Sequence, residues 1–450
     1  MTKWSKEEIK TCSLICLFLS ALILTAYKMD IFEDFLFPKG SPYPYSLGLE
    51  EGLRQTLKPT KIIIRFGGER STQILSGQQR FYEEMQIPIR RILSHAKNIT
   101  EVPEKEIENA KSFKSIQLEY PLVSGSLLSR SFFLENSLIN GLSDVSEILV
   151  PLVGKNSFYI VTESKNFKIQ TETIPSLDFV DNLENSNYLN YQSLHSLFGV
   201  NSKVLVPTGD FDLHFENYET ISGVDSEKIT RLAQDIFGEK YDFAARITET
   251  DGSEIYTYNY GQQVLKIRPN GYIHYTNEDV ELRELNLEES THHAMSFLES
   301  IHYDLNQLAL IEAKQIEVKG RKSYLFRYAK TLKDLRILSH SEEIPVNIIV
   351  SGASVYSYTS TLRDNIPYDF SLSTKIMSPL EVLSPSFNSV LKSKFQIQDF
   401  NQLFDKIHGI ELVYYMDGDY RLSPCWKMNI DGKDYLFNAY TGEIEPYGLV

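Results

Sequence analysis

The stretch LSPCWKMNIDGKDYLFNAYTGEI, residues 422–444, decides how the chain is read. Cys425 stands beside Trp426, which invites a cysteine-protease reading, but papain-like nucleophiles open a helix in a Cys-Gly-Ser-Cys-Trp setting. Here Cys425 follows Pro424 and leads into alternating Trp426, Met428 and Ile430, the period of a strand. Asp431 and Gly432 supply a tight turn, and Tyr435, Phe437 and Ala439 alternate on the returning strand. The stretch therefore predicts an antiparallel hairpin whose structural positions are Pro424, Trp426, Gly432 and Gly442. Cys425 is then a small side chain at a strand start.

The same order occurs twice more. VLKIRPNGYIHYTN (264–277) and VNIIVSGASVYSYTS (346–360) also set an apolar alternation, a glycine turn and an aromatic alternation in sequence. A helix with shared apolar spacing precedes each hairpin. The first carries Ile229, Leu232, Ala233, Ile236 and Phe237; the second Ala294, Phe297, Leu298 and Ile301; the third Phe387, Val390, Leu391 and Phe395. Start chemistry is offered by Asp225, by Asn286 with Glu289, and by Ser384 before Pro385. One helix laid across an antiparallel sheet is the economical way to bury such faces.

Upstream, KIIIRFG (61–67) reads as a short buried strand. A helix follows around 78–95 with Phe81, Met85, Ile89, Ile92 and Leu93 on one side and a kink expected at Pro88. SIQLEYP (115–121), a hairpin over 147–163 that bends at Gly154, Lys155 and Asn156, and NFKIQTE (166–172) complete a strand-rich domain. The fold class is α+β. The expected organisation is a tail over 1–10, a transmembrane helix over 11–27, a linker over 28–57, an α+β domain over 58–210, helix-plus-hairpin units over 222–285 and 286–365, and a closing unit over 378–450.

A chain of 450 residues with 42% hydrophobic content supplies material for real cores. Its 60 acidic against 45 basic side chains give a formal charge of -15, and the basic residues form no stripe, which argues against a nucleic-acid partner. TCSLICLFLSALILTAY (11–27) is free of charge and near the short limit for a membrane span. Lys3, Lys6 and Lys10 precede it and Asp30, Glu33 and Asp34 follow, so the lysine bias places the tail in the cytoplasm and the bulk outside. A cleaved signal peptide is the competing reading, but Ala26 is paired with Leu24 and Ala21 with Leu19, which gives no small-residue cleavage pattern. Within the span Ser13, Cys16, Ser20 and Ala21 are small enough for a second helix to approach closely. Cys12 and Cys16 both lie in the span, leaving Cys425 alone outside it and the exported part without an intrachain disulfide.

A cytoplasmic stub, one span, a strand-rich exported region and a C-terminal unit ending in P-x-W, a hairpin and N-A-x-T-G-E-I together resemble the YycH and YycI family, extracytoplasmic regulators of the WalK (YycG) sensor histidine kinase of Gram-positive bacteria. Length and three-part layout favour the YycH branch. The repeated units also resemble PepSY domains, as in the germination protein YpeB. The resemblance implies a non-enzymatic regulator whose partners are a sensor histidine kinase and a YycI-like companion in the membrane. A YpeB-like partner of a wall-lytic enzyme is the alternative, and an anchored wall hydrolase, which requires carboxylates converging in a deep cleft, is the third reading.

Other constellations read blandly. His292 and His293 diverge by about 100° on a helix and present no joint metal site, and no HExxH spacing occurs. Glu278, Asp279, Glu281, Glu284, Glu288 and Glu289 lack the order of a calcium loop and read as a charged linker and helix start. Gly67 and Gly68 lack the companions of a phosphate loop. No cofactor, metal or small-molecule substrate is expected, and the 27 tyrosines are assigned to sheet faces and partner contacts.

Overall fold

The computed structural model describes residues 48–446, apart from 76–77, 135–136, 155, 173–176, 187, 223–224, 281–283, 340–344 and 368–373. The expected span 11–27, with Ser13, Cys16, Ser20 and Ala21, lies outside the described residues. Among the described residues no helix is long and apolar enough to cross a membrane.

The chain enters on a helix, α1 (Leu49–Thr56), where the sequence reading placed the end of a linker. Leu53 and Leu57, four residues apart, are fully buried, so this turn belongs to the core and the linker reading fails here. Nine antiparallel strands follow: β1 (Lys61–Gly67), β2 (Arg70–Ile74), β3 (Ala96–Val102), β4 (Ser115–Val123), β5 (Val145–Pro151), β6 (Ser157–Thr162), β7 (Asn166–Thr171), β8 (Asn190–Ser193) and β9 (Leu205–Thr208). They form one sheet in the order β3-β7-β6-β5-β4-β1-β2-β8-β9.

Strand alternation gives this sheet two unlike faces. Ile62, Ile64 and Phe66 of β1 and Ile116, Leu118 and Tyr120 of β4 pack with Tyr82, Met85, Ile89 and Ile92 of α2 (Gln78–Ser94), which runs through Pro88. Lys61, Ile63, Arg65, Gln117 and Glu119 take the opposite face. A shorter helix, α3 (Glu104–Lys111), covers part of that face by setting Ile107 and Ala110 on Leu149 and Tyr159.

The second half is a 14-stranded sheet. Its first strands are β11 (Tyr218–Ser222), β12 (Ala245–Thr248), β13 (Glu254–Tyr258), β14 (Gln263–Ile267) and β15 (Tyr272–Asn277); β10 (His214–Phe215) lies off this sheet. Next come β16 (Leu308–Val318), β17 (Arg321–Leu332), β18 (Leu335–Ser339), β19 (Val346–Ser351), β20 (Ser354–Thr361) and β21 (Arg363–Pro367). Past β22 (Thr374–Lys375), which pairs with β10, the chain closes on β23 (Ile407–Met416), β24 (Arg421–Ile430) and β25 (Lys433–Asn438).

The first two helix-plus-hairpin units share one continuous sheet, because β15 pairs with β20 and sets Tyr275 opposite Tyr358. Their helices, here Ser226–Phe237 and Leu287–Ser300, lie over the joint. Phe237 meets the Tyr275 ring edge-on at 6.3 Å, and Phe297 stacks on Tyr275 at 6.0 Å and meets Tyr358 at 5.1 Å. Asp225 caps the first helix, and Asn286 with Glu289 forms a reciprocal capping box on the second.

The third helix departs from the expected spacing. It is split into Leu383–Ser386, a π turn over Phe387–Leu391 and Lys392–Lys394. The wide turn shifts the helical phase, so Phe387 and Leu391 are buried while Val390 is 38% exposed. Its start chemistry comes from Ser378 and Glu381, each accepting from the other's backbone N–H, rather than from Ser384.

The closing hairpin holds this segment in place. Asp431 (φ 55°) and Gly432 (φ 80°) make the turn. Trp426 is buried and its Nε1 donates to the Met377 carbonyl at 2.9 Å. The Asn438 side chain accepts from the Tyr440 and Thr441 N–H groups and folds the chain over to Gly442. A Cβ on Gly442 would stand 2.8 Å from the Val382 carbonyl oxygen, and the glycine carbonyl accepts from Ser386 Oγ at 2.8 Å. Pro424 pairs with Tyr414 on β23.

Candidate functional site: a polar cleft over the nine-stranded sheet

Where α3 stops covering the outer sheet face, β1, β2 and β4 form the floor of a cleft of about 690 Å³. The opposite wall is the start of β23, Ile407 to Ile410, and one end is closed by residues 191–205. The pairing of β23 with β24 shifts register between Ile407 and Gly409, which leaves His408 as the odd, exposed residue on the wall. Two hydrogen bonds fasten this wall to the closing loop: Ser202 Oγ donates to the Ile407 carbonyl at 2.6 Å and the Asn201 N–H donates to Asp405 at 2.7 Å.

The floor carries charges of both signs. Gln117 Nε2 donates to Glu119 and to Glu147, both at 2.9 Å, and Lys111 reaches Glu147 at 3.0 Å. Lys61 lies 3.7 Å from Glu119. At the rim Lys203 pairs with Glu108 at 2.8 Å. Arg65 stands among them with its Nη1 out of contact with water and without a hydrogen-bond partner. Burial pulls its pKa down, and the fields of Glu147, Glu119 and Glu108 oppose that pull. Gln117 Oε1, Glu147 Oε1 and the Tyr191 hydroxyl are also buried without partners, and burial raises the Tyr191 pKa. Arg65, Gln117 and Tyr191 line the cleft, and the donors and acceptors they leave open suit a polar, chain-like ligand whose own N–H and C=O groups complete them.

A hydrolytic arrangement is a poorer fit. Burial pushes the Glu147 carboxyl up, as a general acid requires, but Glu147 lies behind the floor, held by Lys111 and Gln117, and does not line the cleft. Glu108 lines it, yet its pKa is lowered: burial acts upward and is outweighed by the hydrogen bond and charge of Lys203. Among the described residues no group of three His, Cys, Asp or Glu side chains is placed to hold a metal ion.

The sequence-singled residues fall elsewhere. Cys425 is fully buried on the far side of the C-terminal sheet with Val413, Tyr415 and Leu436, and burial raises its thiol well above the ordinary range, which disfavours the thiolate that a nucleophile needs. His292 is exposed, and its ring lies 6.4 Å from that of His293. The acidic run disperses: Glu278 pairs with Lys319, Glu288 with Arg130, and Glu289 caps its helix. Sequence reasoning did not pick out Arg65, Gln117 or Glu119. Their signal was the alternation of polar with apolar residues along Ser115–Tyr120 of β4 and around Arg65 of β1, which marks a second face but not what covers it.

No protein-family model matches the chain, and no curated protein matches it. Among solved structures, YycH from Bacillus subtilis is similar with a TM-score of 0.56, covering 87% of this chain and 97% of that one at 14% identity. An uncharacterized protein from Eubacterium rectale covers 55% of this chain and 91% of its own, with a TM-score of 0.36 and 16% identity. The chain has a YycH-like, mixed α+β fold.

Proposed function

We propose that this protein is a membrane-anchored, extracytoplasmic regulator of a cell-wall-controlling sensor histidine kinase. In this reading it works without catalysis, through contacts with the kinase and a YycI-like companion. The observation that carries the reading is the extent of the fold likeness: nearly the whole of the YycH structure finds a counterpart here. The uncharged stretch 11–27 behind three lysines supports a single span with the N-terminus inside, and the helices over the joined hairpins support PepSY-like units. The polar cleft is the surface assigned to the partner, because its open hydrogen-bonding groups suit a polypeptide segment better than an apolar small molecule.

The test is site-specific photocrosslinking in intact membranes. A crosslinker at Gln73 or His408, both lining the cleft, is expected to capture the kinase or its companion, and one at Lys97, which lines none of the cleft, is not. Deleting the gene is expected to change kinase-dependent transcription. Unchanged transcription together with no capture from either cleft position overturns the reading. Export reporters fused at Lys58 and at the C-terminus test the orientation, and cytoplasmic activity of both would reverse it.

A further inference from the structure

A second cavity, about 230 Å³, lies away from the cleft, between the helix Ser226–Phe237 and the strands β17, β20 and β21. Lys330 on β17 has its ammonium buried at this cavity. Its Nζ donates to the Thr361 carbonyl at 2.5 Å and to Thr361 Oγ1 at 3.0 Å, which leaves one of three protons unassigned. The Tyr303 ring lies 5.9 Å away. On the adjoining strand, Arg363 stacks on Tyr420 at 3.8 Å and its buried Nε has no hydrogen-bond partner. Ser360 Oγ, also on the wall and fully buried, lies close enough to act on the Tyr303 and Tyr358 hydroxyls but has no partner at full hydrogen-bond geometry.

The carboxylates of the lining are already engaged. Asp364 is held by Lys228 at 2.7 Å, and Asp304 accepts from Asn306 N–H and Gln307 Nε2 at 3.0 Å each. Two cations thus face one cavity whose acids are Asp364, paired with Lys228, and Asp304, which keeps its charge because only neutral groups donate to it. Burial, and after it the charge of Arg363, bring the Lys330 pKa down to about 7, with Asp364 acting the other way. Such a pair is stabilised by a bound anion, and the planar guanidinium matches a carboxylate in particular.

We propose that this cavity binds a small organic carboxylate between Lys330 and Arg363. The ligand's charge sits between the two side chains, with Ser360 Oγ as a further donor. With Lys228 balanced by Asp364, Lys330 and Arg363 less Asp304 leave at most one net positive charge, which favours a monoanion over a doubly charged phosphate. The proposal is independent of the regulatory reading, since it concerns a different set of residues and a ligand rather than a protein partner.

Binding of sodium benzoate, of a short peptide with a free C-terminal carboxylate, of the same peptide as its amide, and of inorganic phosphate to the full-length chain tests it by calorimetry at constant ionic strength. Saturable one-site binding of benzoate, of the free-acid peptide, or of both is expected, and which of them binds tells a free acid from a chain terminus. Lys330→Met and Arg363→Gln should each weaken that binding at least tenfold while the thermal transition stays cooperative. The Met variant removes a buried cation and is expected to fold at least as well as the parent. No saturable carboxylate binding, equal binding of the amide, tighter binding of phosphate, or unchanged affinity in both variants overturns the proposal.

Discussion

Arg65 and Lys330 are both buried cations on strands, and their surroundings are opposite. Arg65 lies among Glu147, Glu119 and Glu108, whose fields oppose the cost of its burial. Lys330 faces Arg363, and the acid bearing on it, Asp364, is held by Lys228. A guanidinium keeps its proton in any protein setting, so the sheet must supply acids around Arg65. An ammonium can give its proton up, so the second site tolerates the lack of acids by titrating near neutrality. Burial of charge is thus met by compensation in one region and by deprotonation in the other.

The largest effect expected follows from removing the compensation. Glu147→Ala takes from Lys111 its partner and from buried Arg65 the largest opposing charge, and breaking a buried pair in this way costs about 3–5 kcal/mol. Urea denaturation followed by tryptophan fluorescence, read at Trp426, measures it. A loss below about 1 kcal/mol, the range of a surface pair, would show that water already solvates these charges and that the two regions do not differ as described.

The second effect isolates the titrating site. Lys330 has a pKa of about 7 in the folded chain against an ordinary 10.5, so between those values the unfolded chain binds the extra proton and stability rises with pH. Below pH 7 both states are charged and the burial penalty is fully present. The groups that share the cavity are Lys228, His302, Tyr303, Asp304, Tyr358, Arg363 and Asp364. Subtracting the pH dependence of Lys330→Met removes their common contribution, and the difference should grow by about 3 kcal/mol in favour of the parent between pH 6 and pH 9. Parallel profiles of parent and variant would place the Lys330 proton in water.

How much of this was legible in the sequence depends on distance along the chain. The hairpins of β14–β15, β19–β20 and β24–β25 were readable because turn glycines and period-two alternation act locally. The caps at Asp225 and Asn286 were readable for the same reason. The cleft was not, since Arg65 and Gln117 alternate with apolar neighbours as any solvated strand face does, and the wall that encloses them comes from β23 far along the chain. Nor did β17 announce that Lys330 is buried, because the walls around it come from six other strands and a helix. The π turn at Phe387–Leu391 was hidden as well: the segment leading into it, Val382 to Pro385, packs closely on Gly442, a contact across two segments.

Cys425 extends the comparison to a buried group that carries no charge. Its thiol is raised well above the ordinary 9, so folding holds it neutral and it adds no pH dependence until the unfolded chain begins to ionise near pH 9, above which stability falls. Cys425→Ala should cost only about 1 kcal/mol, the loss of one small buried group beside Val413, Tyr415 and Leu436. The variant should also restore regulation in a deletion strain. Loss of signalling from a folded, normally abundant variant would return Cys425 to the candidate active residues.

The smallest effect on stability is expected at the cleft rim, and it separates charge that holds the fold from charge that meets a partner. Lys203 pairs with Glu108 at 2.8 Å, but its side chain is 68% exposed, so water and salt screen the pair. Lys203→Glu should therefore shift the urea midpoint by no more than about 1 kcal/mol, and that shift should shrink further at high salt. The same substitution turns a cation at the cleft mouth into a second acid beside Glu108, which changes the field an approaching partner meets. Capture of the kinase or companion from His408 should fall several-fold in Lys203→Glu and recover in the double variant with Glu108→Lys, which restores the pair with its charges exchanged. Recovery by the double variant means that the rim matters through local charge balance. A single variant with full capture and unaltered stability would mean that the rim charges serve neither purpose and that recognition rests on the buried floor around Arg65.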